Sequence, residues 1–160
     1  MAKMIVFRQA PLLKLANLSH LRRTAIAINL DEMRQRFDGS PFALYMGMTV
    51  KELSKGYAKI KMNVKPEFLN FENMLHGGVI SSLLDQAFGC CLNTLDYIYV
   101  AVQLNINFMS TVPVGETLFA EGKVVHAGRS LGIAEMTVTD SKGKLIARAS
   151  GTTISIGPRK

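Results

Sequence analysis

The chain has 160 residues, 48% of them apolar and 19% charged, with a formal net charge of +7. That length suits a single domain with a real core, and no apolar run reaches the roughly 18–20 residues that a membrane span needs. Five of the net positive charges fall in residues 1–30 (Lys3, Arg8, Lys14, Arg22 and Arg23, with no acid), so the nearly balanced remainder argues against a nucleic-acid surface.

In that basic start, Leu12, Leu13, Leu15, Leu18 and Leu21 form a helical stripe suited to packing on the body. An Arg-rich, acid-poor start also fits an organelle presequence, so the expected cytoplasmic location carries targeting as its alternative. Asp31 and Glu32 open a short helix through Arg36, which Asp38-Gly39-Ser40-Pro41 breaks. Pro41 then suits the first turn of a second short helix ending near Gly47. Alternation predicts strands over Thr49–Leu53 and Tyr57–Val64 around the turn Ser54-Lys55-Gly56, and Pro66 to Leu75 reads as a loop.

The segment from His76 to Leu95 reads as a long helix. Val79, Ile80, Leu83, Leu84, Ala87, Phe88, Cys90, Cys91 and Leu92 cover more than half its circumference, a wide arc that calls for a concave partner such as a curved sheet. Gly78, Ser82, Gln86, Gly89 and Asn93 occupy the remainder, with Asp85 at the border. Asp85 is the only acid in the segment, and a lone carboxylate on a largely buried helix marks either a satisfied structural group or chemistry. Gly77 and Gly78 expose backbone N–H groups at the positive end of the helix, suited to an anion or oxyanion. Gly77 and Asp85 lie roughly 12 Å apart along the axis. One carbonyl cannot meet both, so a shared site needs an antiparallel helix from a second copy. Adjacent Cys90 and Cys91 cannot form an ordinary disulfide. They read as buried thiols, and no metal site is expected.

Four further strands are predicted over Tyr97–Phe108, Thr117–Ala127, Ser130–Asp140 and Lys144–Ser155, joined by hairpin-like turns. The layout is α+β, with one buried helix embraced by an antiparallel sheet.

Asn70, His76-Gly77-Gly78 and Asp85, at their mutual spacing, together with Val102–Ser110 and Gly128-Arg129-Ser130, resemble the PaaI-like hotdog-fold thioesterases over roughly residues 47–156. The resemblance implies a hotdog domain over 47–160 after an N-terminal helical extension over 1–46. It also implies hydrolysis of acyl- or aryl-coenzyme A, a homodimer or homotetramer, and no cofactor. Asp85 would be the general base or nucleophile, the Gly77 amide would polarise the carbonyl, and Gly78 is a lesser candidate. Asn70 would hold the carbonyl or the attacking water, although Asn also makes local turn bonds. His76 is expected mainly to fix the loop beside the substrate. Arg129, Ser130 and Lys123 would meet the phosphates of coenzyme A, and Leu83, Phe88 and Phe108 would line the acyl pocket. Many relatives carry Ser or Thr where Ala101 stands, so Gln103 or Ser82 would have to position water, or Asp85 would attack directly. A hotdog dehydratase or hydratase and a non-catalytic acyl-CoA sensor are the rival functions.

Overall fold

The structure is a computed structural model and describes residues 28–159. The leucine stripe, the basic cluster and the targeting alternative therefore lie outside the described residues. Helix α1 (Leu30–Asp38) starts one residue before the predicted position, because the Asn29 side chain caps it by accepting from the Asp31 and Glu32 amides. Helix α2 (Pro41–Met46) takes Pro41 into its first turn and stops at Gly47, whose φ of +70° suits a residue without Cβ. Met33, Ala43 and Met46 bury the inner faces of the two helices.

Strands β1 (Thr49–Ser54) and β2 (Tyr57–Asn63) form the predicted hairpin, and a single 3₁₀ turn (Pro66–Phe68) begins the following loop. The long helix α3 covers Gly77–Leu92. Four strands follow: β3 (Tyr97–Phe108), β4 (Thr117–Ala127), β5 (Leu131–Thr139) and β6 (Leu145–Pro158). All six strands pair antiparallel in the order β1-β2-β4-β5-β6-β3. The chain thus has the α+β hotdog architecture, with α3 lying against one sheet.

Alternation explains which side of the sheet meets the helix. Ala58, Ile60 and Met62 of β2, Leu118 and Ala120 of β4, and Ala134, Met136 and Val138 of β5 are all buried, as are Leu83, Leu84, Ala87 and Phe88 of α3. The helix lies close to the strands because glycines interrupt the inner face. A Cβ on Gly151 would fall 2.5 Å from the Phe88 ring, and one on Gly122 would fall 2.5 Å from the Ala87 carbonyl oxygen. Strand β3 forms one edge of the sheet, where Ile98, Val100 and Val102 are exposed.

Candidate active site

Helix α3 is enclosed over its wide arc but not all round. Gly78 and Asp85 are exposed and Ser82, Gln86 and Gly89 are half-buried, so an uncovered stripe follows the polar side of the wheel. Asp85 stands in the middle of it. Its carboxylate has no hydrogen-bond or ion-pair partner among the described residues. The helix is buried as expected, whereas its one acid is reached by solvent in the single chain. The protein mass around the group still displaces enough water to raise its pKa above the ordinary aspartate value. Such a carboxylate is a better base than one in bulk water.

The start of α3 is built by its loop. Leu69 and Leu75 bridge antiparallel, the Asn70 amide donates to the Met74 carbonyl at 2.7 Å, and the His76 amide donates to Phe68 at 2.9 Å. This miniature hairpin holds Asn70 at the rim of the helix N-terminus. Asn70 Oδ1 accepts from the backbone amides of Glu72 and Met74, both at 3.0 Å. Two amide donors aimed at one atom identify it as oxygen, so only the Asn70 NH₂ group remains for another partner. The local turn bond and a substrate contact are therefore compatible, one on each atom.

His76 is the N-cap of α3, and its Nδ1 accepts from the Gly78 amide at 2.8 Å. That bond leaves Nδ1 unprotonated, puts the proton of the neutral ring on Nε2, and gives His76 the loop-fixing role. It also engages Gly78 N–H, which withdraws Gly78 as a free donor. The Gly77 N–H has no acceptor among the described residues. The Phe108 ring faces it, with its atoms 3.5–3.9 Å from where a Gly77 Cβ would stand. Phe108 is 53% exposed and lies beside the one free amide.

Other expected site residues fall elsewhere. Phe88 and Leu83 are 0% exposed and belong to the core, which removes them from the substrate-lining role expected of them. Arg129 and Ser130 are exposed on the β4–β5 turn, which is tied by Gly128 N–H to Leu131 O and by Tyr99 Oη–H to Gly128 O. A Cβ on nearby Gly132 would touch Leu92, so this turn lies at the C-terminal end of α3. Lys123 is exposed on β4, in register with Tyr57 and Glu135. Within one chain, the structure groups Asn70, His76, Gly77 and Phe108 at one end of the helix and Arg129 and Ser130 at the other. Asp85 lies between, about 12 Å from Gly77 along the axis.

Ala101 sits beside a register break in β3, a strand that contains no Ser or Thr. Gln103 is held loosely by Thr152 at 3.5 Å, while the Ser82 hydroxyl donates to the Gly78 carbonyl at 2.9 Å. The cysteines offer no competing nucleophile. Both are buried and free, and burial pushes the Cys91 thiol up to about 12 and the Cys90 thiol higher still. Among the described residues, no group of three His, Cys, Asp or Glu side chains could hold a metal, and no helix is long and apolar enough to cross a membrane. Local turn bonding by Asn70 was an open alternative in the sequence and is present, whereas no local pattern points to the Phe108 ring over Gly77, because β3 and the start of α3 are distant along the chain.

Comparison with known proteins agrees with this geometry. The family profile of the thioesterase superfamily matches residues 72–147. A protein of Archaeoglobus fulgidus that bears only a provisional esterase name is 42% identical over 103 residues, 64% of this chain and 67% of its own. The acyl-coenzyme A thioesterase PaaI of Escherichia coli is 28% identical over 121 residues, 76% of this chain and 86% of its own. The solved structure of that PaaI protein superposes with a TM-score of 0.75 at 26% identity, covering 81% of this chain and 98% of the other. A Streptococcus mutans protein solved with bound acetyl-CoA gives 0.68 at 30% identity, covering 71% of this chain and 91% of its own. The chain belongs to the thioesterase superfamily, as a PaaI-like hotdog protein.

Proposed function

We propose that the chain hydrolyses acyl- or aryl-coenzyme A thioesters at a site formed between two antiparallel copies, with Asp85 as the base. The observation that carries this reading is the position of Asp85: without a partner among the described residues, and on the stripe of α3 that its own sheet leaves open. A second α3 laid head to tail along that stripe would bring one copy's Asp85 towards the other's Gly77 amide and Asn70 NH₂ group. The β3 edge supports such pairing, since a long edge strand carrying exposed Val100 and Val102 requires cover.

At that site Asp85 takes a proton from water as the water oxygen attacks the thioester carbonyl. The Gly77 N–H and the Asn70 NH₂ donate to the oxyanion. Collapse of the tetrahedral intermediate breaks the carbon–sulfur bond, and protonated Asp85 returns its proton to the departing thiolate. One water is consumed, and a free acid and the thiol of coenzyme A leave. Ala101 favours a second course at the same residues: with no Ser or Thr on the strand to hold water, Asp85 attacks the carbonyl directly and the carbon–sulfur bond breaks to expel the thiolate of coenzyme A. One water then hydrolyses the resulting anhydride to the free acid, restoring the Asp85 carboxylate and releasing the proton that the thiolate takes up.

Thiol release measured over short-chain, long-chain and aryl acyl-CoAs, on wild type and Asp85→Asn together, tests the reading. Wild type should turn over at least one class, and the variant should lose about a hundredfold or more. Thioester-dependent double-bond formation without thiol release would point to the dehydratase, and binding without turnover would point to the sensor.

A further inference from the structure

Away from the α3 stripe, two guanidinium groups converge on a shallow groove of about 440 Å³ lined by Arg36, Ile98, Ile156, Gly157, Pro158 and Arg159. Each arginine has a local reason to be there. Arg36 lies in the last turn of α1. One terminal nitrogen of Arg159 donates to both the carbonyl and the side-chain oxygen of Asn93, the C-cap of α3, at 2.9 and 3.0 Å. Two helix C-termini thus each attract a cation and, in doing so, bring two cations to one place.

The balance of charge at this groove is incomplete. Each helix end offsets roughly half a charge, which leaves about one positive charge uncompensated. Neither arginine makes an ion pair among the described residues. Arg159 Nε is buried with no hydrogen-bond partner, a costly state for a charged donor. Desolvation and the neighbouring Arg36 both hold the Arg159 pKa below its usual value. An anion in the groove, lined by both guanidinium-bearing side chains, would relieve the repulsion. A phosphate monoester, with its several acceptor oxygens and charge approaching −2, matches two guanidinium groups better than a carboxylate does. The apolar floor of Ile98, Ile156 and Pro158 would take the organic body attached to it.

We infer that the Arg36–Arg159 groove is a binding site for a phosphate-monoester ligand, separate from the Asp85 stripe. The phosphate could be the 3′-phosphate of coenzyme A itself or that of a free small molecule. Calorimetric titration of adenosine 3′,5′-bisphosphate, coenzyme A and dephospho-coenzyme A into wild type, Arg36→Gln and Arg159→Lys distinguishes the two sources. Wild type should bind the bisphosphate, and both variants should weaken it about tenfold or more, as expected for a lost charged hydrogen bond. Arg36 is exposed, so Arg36→Gln should keep the wild-type melting temperature and separates binding from folding. If coenzyme A is the source, it binds about tenfold more tightly than its dephospho form and the difference vanishes in Arg36→Gln. Equal binding of the two, with the bisphosphate still sensitive to both substitutions, assigns the groove to a free ligand. Failure of wild type to bind the bisphosphate, or binding unchanged in both variants, overturns the inference. Neither result bears on thiol release, so this test and that of the thioesterase reading fail independently.

Discussion

Asn70 separates architecture from chemistry because its two side-chain atoms do different things. Oδ1 closes the 70–74 loop through two amides at 3.0 Å, and the NH₂ group is left to meet a substrate oxygen. Asn70→Ala removes both functions. Two neutral hydrogen bonds at roughly 0.5–1.5 kcal/mol each give a loss of about 1–3 kcal/mol, concentrated in the loop. Faster hydrogen exchange at the Glu72 and Met74 amides would reveal it. Asn70→Asp keeps both acceptor bonds while replacing the donor with a second carboxylate oxygen, which also sets a negative charge beside the oxyanion. Its urea midpoint and loop protection should match wild type, while turnover falls about 10²–10³-fold, the scale of one oxyanion donor. Wild-type kcat in Asn70→Asp would refute the donor role and leave Asn70 as a loop residue only.

Two other outcomes follow from the same geometry. Desolvation raises the Asp85 pKa and the base acts ionised, so kcat/KM should fall with decreasing pH through a pKa above the ordinary aspartate value. A folded-state pKa raised above the unfolded one favours the protonated form, so the stability linked to this group is present at low pH and lost as pH rises through the folded pKa. Asp85→Asn should therefore abolish the acidic limb without lowering the melting temperature at neutral pH; an unchanged limb would exclude Asp85 as the titrating base. In the core, Gly151→Ala would put a Cβ 2.5–2.9 Å from three ring carbons of fully buried Phe88. Overpacking there should cost about 1–3 kcal/mol, read as a lower urea midpoint at constant m, and an unmoved midpoint would mean that helix and sheet are not so tightly apposed.

Much of this architecture was legible in the sequence because the relevant forces are local. Richness in β-branched and aromatic residues and glycine-containing turns placed β3 and β4 at their observed limits. Other boundaries shifted where tertiary partners intervened. Helix α3 ends before Asn93, whose side chain accepts from the Tyr99 amide and donates to the Tyr99 carbonyl rather than continuing the helix. Strand β6 continues past Ser155 because Gly157 and Pro158 pair with Ile98 and Tyr97, although both residue types ordinarily break strands. At the candidate site, the wheel separated the apolar arc from the polar stripe. Residue type alone could not tell Phe88 on α3, which the sheet encloses, from Phe108 on β3, which remains exposed beside Gly77. Which apolar residue faces solvent is decided by how far the sheet curves around the helix, and periodicity does not contain that. Nor does local pattern reveal Arg159, whose neighbours Asn93 and Arg36 are distant in sequence.

Subunit complementation tests the shared site most directly. Asp85→Asn and Asn70→Asp are each expected to be nearly inactive; mixed in equal amounts and allowed to exchange subunits, half of the dimers become heterodimers. If one copy supplies the acid and the other the amide, each heterodimer holds one intact and one doubly altered site, and the mixture recovers about a quarter of wild-type turnover. If instead each site lies within a single chain, every site in the mixture carries a substitution and activity stays at the level of the parents, which would contradict the account.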